Sequence, residues 1–147
     1  MSKTSKESID ISNNFDTNGY LIERDFFDPE LVNNAFDELV KNHDVVLEKL
    51  LLMVDNGLMD KSDLAIESGK LKYLKNANLY FNSLKLLVDS NLNKVVTSLM
   101  GENVFIETIE LHQKYGGVSE TPPHQDNFYF CLENAKSFTA YIPLNRQ

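Results

Sequence analysis

The hydrophobic periodicity of the chain changes at Gly101, and this change constrains the fold more than any other feature. Before Gly101, apolar residues recur at the three- and four-residue spacing of amphipathic helices. After it, NVFIETIELHQKY (103–115) and SFTAYIPL (137–144) are rich in the β-branched and aromatic residues that favour strands. Helices followed by strands predict an α+β fold in which the helices pack on an antiparallel sheet.

Two amphipathic helices are predicted before the change in period. The first covers residues 29–43, with Asp28 as its N-cap and a proline at its first position. Its helical spacing resumes as far as Leu51, where a turn follows. The second helix covers residues 82–100, and Gly101 is the residue expected to end it.

The rest of the chain gives weaker signals. Residues 1–14 are rich in Ser, Lys and Asn and are expected to form a disordered tail, while residues 15–147 form one domain. GYLIERDFF (19–27) is predicted to be a short strand. Residues 59–75 are expected to be irregular, with one strand at KLKYL (70–74). So few strands predict a partial sheet, because a closed barrel or double-sheet roll needs about eight.

Charge and cysteine content restrict the partners and the compartment. The chain carries 14 Lys and Arg against 22 Asp and Glu, a net charge of -8, which argues against nucleic acid and anionic membranes as partners. Its single cysteine, Cys131, cannot form an internal disulfide and fits a reducing compartment. MSKTSKESID lacks the apolar region of a signal peptide, and VVLEKLLLMV is too short to span a membrane. These features predict a cytoplasmic protein.

The stretch TPPHQDNFYF (121–130) contains a candidate metal site. On an extended chain, His124 and Asp126 point to the same side, while Gln125 points away. An imidazole and a carboxylate suit Fe(II), Mn(II) or Zn(II), and a second histidine would complete the face of two histidines and one carboxylate that non-haem Fe(II) uses. The bare pattern is weak, and the alternative is a polar turn whose histidine caps a backbone group.

Four segments in order, GYLIERDFFDPELV, HQKYGG, TPPHQDNFYF and SFTAYIPLN, resemble the N-terminal half of the phytanoyl-CoA dioxygenase family. These are Fe(II)- and 2-oxoglutarate-dependent oxygenases. The resemblance implies that residues 15–147 are the N-terminal part of a double-stranded β-helix, a cupin-like jelly roll, with helices packed on it. It also implies that His124 and Asp126 bind Fe(II), that 2-oxoglutarate and dioxygen are cosubstrates, and that an aliphatic carbon of a small organic substrate is hydroxylated.

The same resemblance implies a cosubstrate pocket beside the iron. By their positions on the strands before and after the loop, Gln113, Lys114, Thr139 and Tyr141 would line it, and Gln125 would hold the loop or reach the cosubstrate. Read by residue type alone, Gln113 and Lys114 are solvated strand residues, Thr139 is a strand former, and Tyr141 is a core residue with its hydroxyl at an edge.

The family's third iron ligand is a later histidine, followed by an arginine that pairs with 2-oxoglutarate. No histidine follows His124 in this chain, and Arg146 is its last arginine. The expectation is therefore a truncated chain, inactive alone, whose C-terminal half lies beyond Gln147.

The other two histidines and two other function classes offer alternatives to this interpretation. His43 is expected to be a surface residue at a helix end, and His112 to line the pocket or pack against its neighbours. One alternative is a non-catalytic binding or assembly module that keeps the fold without a complete iron site. Another is a hydrolytic Zn(II) site completed by His112.

Overall fold

The computed structural model describes residues 15–88, 91–101, 104–115, 122–124, 126 and 137–145. Within these residues the chain is α+β, as predicted, with helices beside a three-stranded antiparallel sheet of order β1-β2-β3. The elements in chain order are α1 (Pro29–Asp55), β1 (Leu64–Glu67), β2 (Lys70–Leu74), α2 (Asn82–Val88), α3 (Leu92–Met100) and β3 (Leu111–His112).

Helix α1 begins where the sequence predicts and continues without the predicted break. The Asp28 carboxylate accepts a hydrogen bond from the Glu30 amide at 2.9 Å, and Pro29 occupies the first helical position. The helix then runs unbroken for 27 residues. The predicted break near His43 is wrong, because His43 lies in the middle of the helix, and the predicted continuation through Leu51 is confirmed. Its buried side chains are Ala35, Leu39, Val46 and Leu50.

The segment before α1 is not a strand, contrary to the prediction for residues 19–27. Asp25 adopts a left-handed backbone conformation, with φ of 53°, which interrupts an extended chain. Phe26 and Phe27 then stack edge to face, and Phe27 packs against the core. The aromatic residues that suggested a strand therefore anchor a loop that leads into α1.

A β-hairpin replaces most of the irregular region predicted at residues 59–75. β1 and β2 pair from Leu64 opposite Leu74 to Glu67 opposite Lys70. Ser68 and Gly69 both have positive φ, 52° and 73°, which is the backbone of a two-residue type I′ turn. The predicted strand at KLKYL is confirmed as β2.

β3 is shorter than the strand predicted after Gly101. Only Leu111 and His112 form ladder pairs, with Leu74 and Tyr73 of β2. Residues 104–110 are held to the rest of the molecule by single contacts. One of them is a 2.8 Å hydrogen bond from the Ala77 amide to the Ile109 carbonyl.

The second predicted strand, residues 137–144, forms no ladder with any described neighbour. Phe138 stacks on Phe15, and Leu144 packs against the core, so side chains hold this segment in place. A segment forms a β-strand only when it pairs with another strand, and no other described segment pairs with residues 137–144.

The single helix predicted over residues 82–100 is two helices, α2 and α3. The sequence between them contains Asp89, Ser90 and Asn91, residue types that favour helix starts over helix interiors. Gly101 ends α3 as predicted, with φ of 71° and its amide bonded to the Thr97 carbonyl at 3.0 Å.

The core lies between α1, α2 and the inner face of the sheet. Its largest fully buried side chains are Phe81, Leu50, Leu71, Leu74 and Leu87. Among the described residues, no helix is both long enough and apolar enough to cross a membrane.

Glu38 of α1 caps the start of α2. Its two carboxylate oxygens accept hydrogen bonds from the amides of Asn82 at 3.1 Å and Ser83 at 2.8 Å. These amides belong to the first turn of α2, where they have no partner inside the helix. The contact therefore satisfies two backbone donors and fixes α2 against α1.

We expect Glu38→Ala to lower the free energy of unfolding by about 1–2 kcal/mol, because two backbone donors lose a charged acceptor. Chemical denaturation monitored by circular dichroism measures this change. Glu48→Ala, an exposed position on the same helix, is the matched control and should change stability by less than about 0.5 kcal/mol. Equal losses in both variants would contradict the capping role.

Candidate functional site

An open groove of about 2240 Å³ runs along the molecule between α1, the helices α2 and α3, and the segment that follows β3. All three histidines of the chain line it. So do the described residues of the predicted site, which are Gln113, Lys114, His124, Asp126, Thr139 and Tyr141. Gln125, the remaining predicted residue, lies outside the described residues.

His124 and Asp126 face each other in this groove. The His124 Nε2 atom lies 3.4 Å from Asp126 Oδ1. The other ring nitrogen, Nδ1, lies 2.8 Å from the Pro122 carbonyl oxygen and donates to it. The other carboxylate oxygen, Oδ2, accepts a hydrogen bond of 2.6 Å from the Thr139 hydroxyl. One atom of each side chain is thus fixed by a hydrogen bond, and a second atom faces the other residue of the pair.

A positive charge between the two residues would stabilise this arrangement. With its proton on Nδ1, a neutral imidazole presents a lone pair at Nε2. That lone pair would face an anionic oxygen, and two electron-rich atoms at 3.4 Å repel each other. Either a second proton on the ring or a bound metal cation removes the repulsion. Two donors of one metal ion, each about 2.1 Å from it, lie about 3.0 Å apart when they are neighbours in an octahedron and about 3.4 Å apart in a tetrahedron, so a metal ion can lie between the pair.

Thr139 contributes to the site by holding Asp126. A hydrogen bond to one oxygen of a carboxylate fixes its plane and leaves the second oxygen for a ligand. The family resemblance implies a place for Thr139 in the cosubstrate pocket, and the structure puts its hydroxyl against the Asp126 carboxylate.

The other predicted pocket residues occupy different depths of the groove. Tyr141 is 72% exposed, at the rim, so its interpretation as a core residue is wrong. Lys114 is exposed. Gln113 is half-buried. Its backbone amide donates to the Lys72 carbonyl at 2.8 Å, which places the residue beside β2.

A polar network that the sequence did not predict lies next to Gln113. The Tyr115 hydroxyl donates to Gln113 Oε1 and lies 3.2 Å from His43 Nε2. His43 Nδ1 lies 2.8 Å from a carboxylate oxygen of Asp44. The Lys70 ammonium lies above the Tyr115 ring, 4.8 Å from its centre. His43 is therefore a partly buried residue of the groove, and its prediction as a helix-end surface residue is wrong.

His112 belongs to a second cluster, formed where β3 meets β2. Its Nε2 lies 3.3 Å from one oxygen of Glu110, and the other oxygen accepts a 2.9 Å hydrogen bond from the Tyr73 hydroxyl. The rings of Tyr73 and His112 are 5.0 Å apart. Within the described ranges, no group of three His, Cys, Asp or Glu side chains comes together as a metal site.

Tyr73 gives a prediction about stability at high pH. Burial, together with the hydrogen bond to Glu110, raises the pKa of the Tyr73 hydroxyl above its ordinary value of about 10. The unfolded chain therefore ionises this group first, and the stability that it contributes is complete below about pH 10 and is lost as the pH rises further.

We expect Tyr73→Phe to lose less stability than the wild type between about pH 9 and pH 11, as urea denaturation at each pH measures. Some loss should remain, because burial, with the charge of Asp44, also raises the pKa of Tyr115. Tyr20→Phe, at an exposed position, is the control and should follow the wild type. Parallel curves for Tyr73→Phe and the wild type would contradict the prediction.

Comparison with known proteins gives no relative of the chain: neither a family model nor a curated protein nor a solved structure matches it.

Proposed function

We propose that the chain is part of an Fe(II)- and 2-oxoglutarate-dependent oxygenase of the phytanoyl-CoA dioxygenase type, which hydroxylates an aliphatic carbon of a small organic substrate. The observation that carries the proposal is the pairing of His124 Nε2 and Asp126 Oδ1 at 3.4 Å, with a second atom of each side chain anchored. This pair supplies two of the three protein donors of a non-haem iron site. A jelly-roll core belongs to the same proposal.

Each anchoring contact has a role in this proposal. The Pro122 carbonyl holds the proton of His124 on Nδ1, which leaves the lone pair of Nε2 as the metal ligand. The Thr139 hydroxyl holds Asp126 Oδ2, so that Oδ1 is directed toward the metal. Fe(II) and 2-oxoglutarate, when bound, supply the reduction of dioxygen, which delivers one oxygen atom to the substrate and one to succinate as carbon dioxide leaves.

The groove provides charge and apolar surface for the ligands. Lys70 and Lys114 place ammonium groups on its walls, in a chain whose net charge is -8. An ammonium group can pair with a carboxylate of 2-oxoglutarate, although the carboxylates of Asp44, Asp63, Glu107, Glu110 and Asp126 line the same groove. Phe105 and Ile106, both exposed, add apolar surface that an aliphatic substrate would cover. A reducing cytoplasm, which keeps iron as Fe(II), is the compartment that suits this chemistry.

The test is an anaerobic titration, with Fe(II) and 2-oxoglutarate, of the full-length protein of which the chain is proposed to be a part. Chelation of Fe(II) by a 2-oxo acid produces a visible charge-transfer absorption, which neither component shows alone. We expect this absorption to saturate at one iron per chain. Its absence at every ratio of iron to protein, together with the absence of Mn(II) binding, would overturn the proposal.

His112→Ala is the control variant in this titration. His112 lies in the same groove but is paired with Glu110, so its removal should leave the absorption unchanged. If His112→Ala abolishes metal binding, and the wild type binds Zn(II) and hydrolyses ester substrates without 2-oxoglutarate, the hydrolytic alternative replaces the oxygenase.

A binding module is the second candidate function, and the geometry at His124 favours it in one respect. A proton on Nε2 would satisfy Asp126 as well as a metal would, giving an ordinary ion pair across 3.4 Å. A module of this kind would show no metal binding and would keep its thermal stability in the presence of a chelator.

A further inference from the structure

β3 forms one edge of the sheet, and part of its backbone has no partner in the described residues. The Gln113 amide donates to the Lys72 carbonyl, and the Ile109 carbonyl accepts on the same side, from the chain that follows β2. Successive residues of an antiparallel strand direct their backbone groups to opposite sides. The amides and carbonyls of Glu110 and His112 therefore point away from β2, where no described residue binds them.

This free edge lies in the groove. Residues 104–115 line the groove, and so do residues 137–145, which form no ladder with β3. The volume of the groove, about 2240 Å³, is larger than the roughly 300–1,000 Å³ of a pocket for a small molecule. A strand edge in a concave groove of this size suits one extended segment, which would join the sheet beside β3. A second copy of the chain would have to bring a whole sheet into the same space.

The side chains of the edge indicate which residues such a segment would contain. Residues that pair across two strands point to the same face of the sheet. Leu111 is buried on the core side, so the residue opposite it should be apolar. Glu110 and His112 lie on the other face, where the Tyr73 hydroxyl donates to Glu110 at 2.9 Å. The residues opposite these two should be polar, so apolar and polar residues should alternate in the segment.

The charge of the groove indicates that the polar residues of the segment are basic. More carboxylates than ammonium groups line the groove: Asp44, Asp63, Glu107, Glu110 and Asp126 against Lys70, Lys75 and Lys114. Residues 104–112, which contain the edge, include two of these carboxylates and no Lys or Arg. Opposite charges on neighbouring strands stabilise the pairing of the strands. Lys or Arg at the polar positions of the segment would therefore complement the groove.

We propose that the groove binds an extended, basic segment of another polypeptide, in which Lys or Arg alternates with apolar residues, as an added strand beside β3. Hydrogen bonds to the backbone of Glu110 and His112 supply affinity. The apolar contact with Leu111 and the carboxylates of the groove supply specificity. The inference goes beyond the proposed function, because it uses neither His124 nor Asp126.

The probe is a short synthetic peptide of alternating Lys and Val that is labelled with a fluorophore, and fluorescence anisotropy measures its binding to the full chain. In the proposed register, the backbone groups of its lysines face β3 and those of its valines face away. N-methylation of two lysine amides should weaken binding about tenfold or more, because two hydrogen bonds to β3 are lost. N-methylation of two valine amides is the matched control and should leave the affinity nearly unchanged.

Glu107→Lys tests the charge of the groove with the same peptide. Glu107 is exposed on the wall of the groove, so its replacement by lysine places like charges near each other. We expect the affinity for the peptide to fall about three- to tenfold. Glu48→Lys is the matched control, because it changes the net charge of the chain equally at an exposed position outside the groove. This control should bind the peptide nearly as tightly as the wild type does.

Hydrogen exchange followed by nuclear magnetic resonance locates the bound peptide. The amides of Glu110 and His112 should become protected when the peptide binds, because they gain hydrogen-bond acceptors. The Gln113 amide already donates to the Lys72 carbonyl, so its exchange should change little.

Several outcomes would overturn the inference. If the peptide does not bind, or if both N-methylated peptides bind equally well, no strand is added to β3. Equal losses of affinity in Glu107→Lys and Glu48→Lys would mean that the net charge of the chain, and not the groove, attracts the peptide. Protection of the Glu110 and His112 amides without the peptide would mean that a second copy or another segment of the same protein already pairs with β3. These measurements use neither metal nor 2-oxoglutarate, so their outcome is independent of the proposed function.

Discussion

Asp126→Ala is expected to lower the affinity of the chain for Mn(II) by more than about 100-fold. Loss of a residue that only orients a metal ligand typically costs 10–100-fold, and Asp126 is proposed as a ligand itself. It is also the only carboxylate in the described part of the chain that is paired with His124. Mn(II) is an air-stable substitute for Fe(II), and its free and bound forms are distinguished by electron paramagnetic resonance.

Thr139→Val provides an intermediate step in the same measurement. It removes the hydroxyl that donates to Asp126 Oδ2 at 2.6 Å and keeps the shape of the side chain. We expect affinity to fall about 10-fold, because the carboxylate remains but is no longer oriented. Thr108→Val, a threonine of the same groove that contacts Asn76, is the matched control. If the Asp126→Ala variant binds Mn(II) as tightly as the wild type does, the ion is held elsewhere and the site assignment is wrong.

Phe81→Ala is expected to lower the free energy of unfolding by about 3–5 kcal/mol. Phe81 is fully buried between α1, α2 and the sheet, so truncation removes apolar contacts and leaves a cavity in the core. The whole stability of a domain is only about 5–15 kcal/mol, so this single change removes a large part of it. Urea denaturation monitored by circular dichroism measures the loss.

Leu79→Ala is the control for the core prediction. Leu79 is two residues from Phe81 but 70% exposed, so its removal should cost less than about 1 kcal/mol. Similar losses in the two variants would contradict the position of the core. If Phe81→Ala is too unstable to purify, Leu84→Ala, at the edge of the same core, should give a smaller loss of about 2–4 kcal/mol.

The helix signals in the sequence were reliable at the ends that carry a cap and unreliable elsewhere. Asp28 and Pro29 marked the start of α1, and Gly101 marked the end of α3, because these residues act through local backbone geometry. The predicted break in α1 arose from His43, a polar residue on the apolar stripe that contains Leu39 and Val46. The stripe is polar at His43 because α1 faces the groove at this turn. Only the tertiary structure reveals that the groove is there.

Two of the strand signals failed for a different reason, while the one at KLKYL was correct. Residues 19–27 and 137–144 have strand-like composition, but a strand depends on a partner that can lie far away in the sequence. The hairpin at Ser68 and Gly69 was missed because its turn uses a serine where Asn or Asp would be the recognisable signal.

The candidate site was partly readable from the sequence. The spacing of His124 and Asp126 predicted that they would face the same side, and they lie 3.4 Å apart. The polar network of His43 and Tyr115 was not readable, because these two residues are 72 residues apart in the sequence. A polar residue inside an apolar helical stripe is the one signal that could have indicated it.

The two-residue turn between β1 and β2 also determines the order in which the sheet can assemble. Its partners are adjacent in the chain, so the hairpin can close within about 1–10 µs with little loss of chain entropy. β3 pairs His112 with Tyr73 only after the intervening helices have brought distant segments together, and such non-local contacts form slowly. The hairpin is therefore expected to be the template on which β3 is added. The wall of the groove that contains Gln113 and Tyr115, directly after β3, would then be among the last parts of the molecule to form.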